Sequence, residues 1–284
     1  MSANLYGGVG KMASTRTAAA DYAIDALNYA TDSENRMHND DTAPKYGFRG
    51  GLVPGIGVYG YMTRAMVETF GSDWLSRGRA DVRFLKPVYD GERVVVRSAW
   101  DKEEADLVKV SLVNPEGVLC GAGTASLATS PAPSQTPEYS LGEAPEYESR
   151  PDASLEALPT GTDLGAFETM LDIETMTAFV GSMCESLPAL FATSTACHPA
   201  YYPSLANDIL VKNVALGPWI HAGSSVQHFA VPDAGARLVV QGRVAESFER
   251  KGHDIVVLDV LISADDTSVA VVKHTAIIRP RVAA

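Results

Sequence analysis

Residues 56–70 read IGVYGYMTRAMVETF, and this stretch decides the fold. Large apolar side chains recur every four residues from Val58 to Phe70, which is the spacing of one helix face. Polar side chains are few on the other faces, so the pattern predicts a helix that is buried nearly all round. A shorter helix is predicted at residues 17–30, which are rich in alanine and place apolar residues at helical spacing.

Four β-strands are predicted after the buried helix, and four more near the carboxyl end of the chain. Turn signals such as Asp90-Gly91 and the Asn-Pro-Glu-Gly at 114–117 separate them. Because the connections are short, consecutive strands are expected to pair antiparallel. The predicted strands are 79–88, 92–100, 106–113 and 118–129, followed by 224–231, 236–248, 253–264 and 268–279.

The two halves of the chain share one pattern. The residues that recur at equal spacing are Trp74, Gly78 and Phe84 in the first half and Trp219, Gly223 and Phe229 in the second. A Gly-x-Arg followed by three apolar residues comes after each set, and each half closes on a strand containing Thr-Ala. The repeat predicts two similar folds that pack as an internal pseudo-dimer.

Residues 130–160 break the composition, with six of the 16 prolines and six acidic residues. Proline removes a backbone donor and carboxylates resist burial, so this stretch is predicted to be an extended, solvated connector. The predicted organisation is therefore a first domain at 1–129, a linker at 130–163 and a second domain at 164–284.

Composition narrows the class of protein. The balance of 23 basic against 35 acidic residues gives a net charge of −12, which disfavours nucleic acid and anionic membranes as partners. No apolar run reaches the ~18 residues of a membrane span, and no basic start precedes an apolar block. The cysteines Cys120, Cys184 and Cys197 are odd in number and lack metal-ligand spacing, which predicts a reduced, cytoplasmic protein without a metal site.

Residues 35–55, NRMHNDDTAPKYGFRGGLVPG, lead into the buried helix. They place a histidine and several acids next to a glycine-rich entry. An acid/base pair beside backbone N–H donors is what adding water across an activated double bond requires. The stretch resembles the hydratase motif of the MaoC-like, R-specific enoyl-CoA hydratases. The residues that carry the resemblance are Asn35, His38, Asp40, Ala43, Gly51, Pro54 and Gly55.

The resemblance implies an α+β fold, a tandem double hotdog in which each antiparallel sheet wraps a central helix. It implies that His38 and an aspartate hold the attacking water and that the N–H of Gly55 stabilises the thioester oxygen. The identity of the acidic residue stays open, because Ser33 occupies the family's aspartate position when the chain is counted without a gap. A one-residue insertion would give the role to Asp32, which is favoured, and Glu34 is the other candidate.

The remaining loop residues are predicted to contact the substrate; these are Asn35, Tyr46, Arg49, Gly51 and Pro54. For Arg49 two interpretations stay open, contact with a coenzyme A phosphate and a solvated side chain. The expected substrate is an acyl-CoA or acyl-carrier thioester, with no cofactor beyond that coenzyme A, and a homodimer is compatible with the pattern. Two other functions stay open, a hotdog thioesterase and a hotdog protein that only binds an acyl ligand. In the second half, His221 and His228 are expected at the lobe interface or in solvent, since no further metal ligand accompanies them.

Overall fold

The computed structural model describes residues 16–129, 139–182 and 197–283. Its strands belong to one antiparallel sheet of ten. The strands of the first lobe are β1 Tyr22–Asp25, β2 Gly78–Phe84, β3 Arg93–Trp100, β4 Val108–Val113 and β5 Leu119–Leu127. Those of the second lobe are β6 Asp163–Met170, β7 Ile220–His228, β8 Arg237–Arg250, β9 His253–Ala264 and β10 Thr267–Arg279. All eight strands predicted from the sequence are present, with ends displaced by a few residues.

The order of the strands makes the duplication visible. From its outer edge to the centre, the first lobe runs β1-β3-β4-β5-β2 and the second runs β6-β8-β9-β10-β7. The two lobes therefore have the same topology. Strands β2 and β7 pair at the centre, from Arg79 opposite Gln227 to Arg83 opposite Gly223, and join the lobes into one sheet. The double hotdog fold predicted from the sequence is confirmed.

Each lobe packs one central helix against its strands. Helix α1 (Gly55–Phe70) contacts β3, β4 and β5, and helix α4 (Tyr201–Asn213) contacts β6, β8 and β10. The side chains of Tyr59, Met62 and Met66 on α1 are fully buried, and burial of each methionine contributes roughly 1.5–3 kcal/mol relative to exposure. Two shorter helices are α2 Asp73–Arg77 and α3 Ile173–Ser182. No helix in the described part of the chain is long and apolar enough to cross a membrane.

The helix predicted at residues 17–30 is wrong. Part of this stretch forms β1, which pairs with β3 from Tyr22 opposite Val96 to Asp25 opposite Arg93. The guanidinium of Arg93 also donates to the carboxylate of Asp25 at 2.9 Å. The outer edge of β3 offers a row of backbone groups that a strand can satisfy. That ladder outweighs the helix preference of alanine, which is worth less than about 1 kcal/mol per residue.

The connector between the lobes is only partly solvated. Residues 130–138 of the predicted linker lie outside the described residues. Beyond them, the carbonyl of Tyr139 accepts from Nε2 of Gln241 at 3.1 Å, and the side chains of Ala153 and Leu158 are buried. These two apolar side chains anchor the described part of the connector against the second lobe. The proline and acidic content of the connector does not predict this packing.

Candidate functional site

A cavity of about 280 Å³ lies where the two lobes meet, beside the start of α1. The first lobe lines it with residues 35, 37–38, 48, 52–55, 58 and 84–88, and the second with residues 207, 219–222, 253 and 277. Most of these side chains are apolar, and the polar ones are few. Small-molecule sites have this composition, an apolar wall with a small number of placed polar groups.

The imidazole of His38 is fixed in one tautomer at the wall of this cavity. Its Nδ1 lies 2.8 Å from the carbonyl oxygen of Leu52, so Nδ1 carries the hydrogen and donates it. Its Nε2 then carries a lone pair, which lies 3.2 Å from Nδ2 of Asn35. Burial lowers the pKa of His38, opposed by the bond to Leu52, so the ring is neutral at pH 7. The cavity therefore contains a neutral base whose protonated nitrogen is already satisfied.

The side chain of Asn35 holds His38 and the second lobe together. Its Oδ1 accepts from the backbone N–H of Met37 at 3.2 Å, which caps the short 3-10 helix Arg36–His38. The same oxygen accepts from the N–H of Trp219 at 3.1 Å, and Nδ2 donates to the carbonyl of Trp219 at 3.0 Å. These partners fix which end of the amide is nitrogen. Asn35 is thus a positioning residue that orients the ring of His38 relative to the second lobe.

Helix α1 begins at the same cavity. Its first residue is Gly55, and Pro54 before it provides no side-chain cap for the N–H groups of the first turn. A Cβ on Gly55 would lie 2.9 Å from Nδ1 of His221 and 3.0 Å from Cε2 of Phe84. The chain needs glycine here because two rings press against its Cα. The positive end of the helix dipole adds to the attraction of this wall for a negatively charged oxygen.

The structure does not bring the predicted acid to His38. Asp32 and Glu34 are exposed, and neither lines the cavity. Ser33, in the position of the family's aspartate, is half-buried and donates from Oγ to the carbonyl of Asn35 at 3.3 Å. Among the described residues that line the cavity, none is an aspartate or glutamate. The preference for Asp32 rests on its place at the end of the predicted helix at 17–30 and on the length of its side chain; that helix is absent, and the turn at 31–34 leaves Asp32 exposed.

Three other predicted contact residues serve the loop and do not line the cavity. The guanidinium of Arg49 pairs with Glu92 and lies 4.1 Å from the ring centre of Tyr89. Tyr46 packs on a small apolar cluster around Met37. Gly51 donates its N–H to Asp40 at 2.7 Å, and a Cβ there would meet the backbone of His38. These residues shape the loop that carries His38.

A second histidine, His221 of β7, reaches the same cavity from the other lobe. Its Nε2 lies 2.9 Å from Oγ of Ser224, which in turn lies 3.1 Å from Nδ1 of His274. The rings of His221 and His274 stack with centroids 4.3 Å apart. Burial, and then the neighbouring His274, lower the pKa of His221 well below its ordinary value, and burial lowers that of His274 to about 3, so both are neutral. Nothing in their sequence spacing marks this group, because it forms only when Ser224 and His274 pair across β7 and β10.

Neither a protein-family model nor a curated protein sequence matches the chain. Solved structures match over most of its length. A proposed MaoC-domain dehydratase from Chloroflexus aurantiacus superposes with a TM-score of 0.63 at 12% identity, covering 92% of this chain and 93% of that one. A conserved hypothetical protein of Mycobacterium tuberculosis with a double hotdog fold gives 0.60 at 12% identity, over 92% and 96%.

Thioesterases share the architecture as well. A proposed oleoyl thioesterase from Lactobacillus plantarum superposes with a TM-score of 0.53 at 10% identity, covering 92% of this chain and 96% of that one. At such identities the likeness establishes the double hotdog fold, and the reaction has to be argued from the site.

Proposed function

We propose that the protein is a hydro-lyase that adds water to a trans-2-enoyl thioester, or removes it in the reverse direction. The double hotdog fold supports an acyl-thioester substrate, since structures with this fold are named as dehydratases and thioesterases. The observation that carries the proposal is the arrangement of His38. Its basic nitrogen lies in an apolar cavity that also contains the uncapped first turn of α1.

One imidazole can perform both proton transfers of this reaction. Nε2 of His38 takes a proton from water as the water oxygen bonds to the β-carbon of the enoyl group. The electron pair of the double bond moves towards the thioester oxygen, where the N–H of Gly55 stabilises the developing charge. The imidazolium then returns the proton to the α-carbon, which gives the 3-hydroxyacyl thioester and a neutral His38. These proton transfers balance without a separate carboxylate. The expected 3R configuration of the product comes from the family resemblance.

The size of the cavity suits the acyl end of the substrate. A volume of about 280 Å³ lies near the lower limit of ~300–1,000 Å³ for small-molecule pockets. It would accommodate a short acyl thioester, with the nucleotide part of coenzyme A outside. Lys86 is exposed at the rim and forms no ion pair with any described residue. In place of Arg49, which is held by Glu92, we propose Lys86 as the cation that meets the phosphates.

A specific observation favours one alternative, an acyl-thioester-binding protein without catalysis. The described cavity residues include no carboxylate, and Asn35 already donates towards the basic nitrogen of His38. That contact is 3.2 Å, at the long end of the range for a hydrogen bond, and catalysis requires an incoming water to replace Asn35 at Nε2. The hydro-lyase and the binding protein would bind the same ligand, but only the hydro-lyase would convert it.

The purified protein should be incubated with crotonyl-CoA and a longer trans-2-enoyl-CoA, with enoyl absorbance and free thiol followed in parallel. Hydration removes absorbance without releasing thiol. Thiol release would instead identify a thioesterase, and binding without either change would identify the non-catalytic alternative. A protein that neither binds nor converts these thioesters would refute the proposal altogether.

A further inference from the structure

Asn207, at the centre of helix α4, makes no hydrogen bond with any described residue, and its Oδ1 is fully enclosed. The same helix shows how the fold treats an asparagine that it needs for structure. Oδ1 of Asn213 accepts from the N–H of Gly165 at 2.6 Å, and its Nδ2 donates to the carbonyls of Gly165 at 2.9 Å and Ile209 at 2.8 Å. Asparagine is also less favourable than alanine or leucine inside a helix. Neither packing nor helix formation therefore accounts for the amide of Asn207.

This amide belongs to the wall of the cavity between the lobes. Asn207 is half-buried and lines the cavity from the second lobe. Its Nδ2, unlike Oδ1, is not enclosed, so the end of the amide that a ligand can meet carries N–H donors. Asn35 and His38 on the opposite wall already have protein partners, whereas these donors have none among the described residues.

The cavity connects the start of α1 with α4. Gly55 and Val58 line it along the first turn of α1, and α1 contacts α4. The exposed rim lies at Leu85 and Lys86, in the loop after β2. With the thioester at Gly55 and the coenzyme A phosphates at Lys86, the acyl chain is left with the direction along α1 towards Asn207.

An acyl chain made only of methylene groups does not suit this end of the cavity. It would remove water from Nδ2 of Asn207 without replacing the hydrogen bond, and a buried donor without an acceptor is costly. An oxygen on the chain would accept from Nδ2 and remove that cost. Sites built to bond a substrate oxygen discriminate against the analogue that lacks it. Lys86 is the cation among the described cavity residues and lies at the exposed rim, so nothing beside Asn207 balances a carboxylate.

We propose that Asn207 determines the acyl specificity of the protein. Its Nδ2–H donates to an uncharged oxygen, a keto or hydroxyl group, that the acyl chain carries beyond its β-carbon. The substrate class is then an oxygenated short acyl thioester instead of a plain fatty acyl thioester. The proposal rests on the acyl-thioester ligand of the proposed function but not on its hydration.

The test compares saturated ligands in pairs that share the coenzyme A part and the chain length. The pairs are 4-oxopentanoyl-CoA with pentanoyl-CoA and 5-oxohexanoyl-CoA with hexanoyl-CoA. Calorimetry should show that the wild-type protein binds the oxo ligand of at least one pair about tenfold more tightly than the plain ligand, the effect of one hydrogen bond. Plain ligands that bind as tightly as their oxo counterparts in both pairs would overturn the proposal.

Two substitutions remove the donor and retain the approximate size of the side chain, Asn207→Leu and Asn207→Asp. We expect both to lose the tenfold preference, and Asn207→Leu to bind the plain ligands severalfold more tightly than wild type. Ser204→Ala is the matched control, because its hydroxyl donates to the carbonyl of Tyr201 at 2.7 Å and the residue does not line the cavity. This variant should retain the preference.

Thermal unfolding checks that each variant is folded. A preference that persists in either folded Asn207 variant would overturn the role of Nδ2. So would an equal weakening of both members of a pair in Asn207→Leu, since that result would place the amide against the pantetheine arm that the ligands share.

Turnover of crotonyl-CoA by the wild-type protein separates this inference from the proposed reaction. Hydration without any preference for an oxo ligand defeats only the inference. A preference that depends on Asn207 in a protein that does not hydrate crotonyl-CoA defeats only the hydration. A protein that binds none of these thioesters defeats both.

Discussion

Replacing Gly55 by alanine tests the tight contact between the start of α1 and the second lobe. The new methyl group would lie 2.9 Å from Nδ1 of His221 and 3.0 Å from Cε2 of Phe84. These two rings already pack edge to face with centroids 4.9 Å apart, and Ser224 holds His221 at 2.9 Å. Neither ring can move aside without disturbing the other, so the helix start has to shift.

The expected cost follows from two opposing effects. Overpacking of a buried site costs typically ~1–3 kcal/mol, whereas alanine gains up to about 1 kcal/mol over glycine within a helix. We therefore expect Gly55→Ala to lower the free energy of unfolding by about 1–2 kcal/mol. The displacement of the N–H of Gly55 should also lower turnover by at least about tenfold, since misplaced oxyanion donors are costly.

Gly57→Ala in the same helix is the matched control. A Cβ there would lie 3.3 Å from Cε1 of Tyr29 and 3.7 Å from Cγ1 of Val53, which is close but not a collision with a locked ring. We expect its free energy of unfolding to stay within about 0.5 kcal/mol of wild type, and turnover to be retained. Urea unfolding and crotonyl-CoA hydration measure both variants. Equal stability and equal turnover of Gly55→Ala and wild type would refute the account of this contact.

Three further predictions concern charge and protonation. Because burial lowers the pKa of His38, kcat/KM should decline on acidification with a midpoint below pH 6.5; a decline centred above 6.5 would contradict a neutral buried base. Lys86→Ala should raise KM for crotonyl-CoA severalfold and leave KM for the pantetheine thioester, which lacks the nucleotide phosphates, unchanged; equal effects on both would remove Lys86 from phosphate binding. Burial lowers the pKa of His228 to about 4, opposed by its bond to Trp74, so its contribution to stability is present above the unfolded pKa of about 6.5 and lost as the pH falls towards 4. The urea midpoint should drop between pH 7 and pH 5 by the equivalent of about 2 kcal/mol from this residue, and a His228→Phe variant that shows the same drop would refute the assignment.

The sequence predicts those helices and strands whose residue pattern lies within one continuous segment. Residues 56–70 are apolar on nearly every face and form α1, and the alternating strands between tight turns pair as expected. The repeat around Trp74 and Trp219 predicts the symmetry of the two lobes. The strand β1 was missed because it exists only through its pairing with β3, which the alanine-rich stretch 17–30 does not reveal.

The same distinction applies to the residues of the candidate site, some of which lie on one segment while others come together only in the folded sheet. The motif around His38 and Gly55 predicts two residues that line one cavity, since both lie on a single continuous loop and helix start. The choice of Asp32 depends on a helix at 17–30 that would end beside it, and the structure has strand β1 and a turn there instead. The partnership of His221 with Ser224 and His274 depends on the register of two strands that are distant in sequence, so no local pattern could show it.

The most direct test of the central claim is the rate of crotonyl-CoA hydration by His38→Ala, compared with that of Asp32→Asn. Equal thermal unfolding temperatures of the two variants serve as the control for folding. If the imidazole is the group that moves the proton, His38→Ala should lose roughly a hundredfold or more in kcat, the usual size of an acid/base contribution, while Asp32→Asn stays within about twofold of wild type. A His38→Ala variant that hydrates at the wild-type rate, or a collapse of turnover in Asp32→Asn, would contradict it.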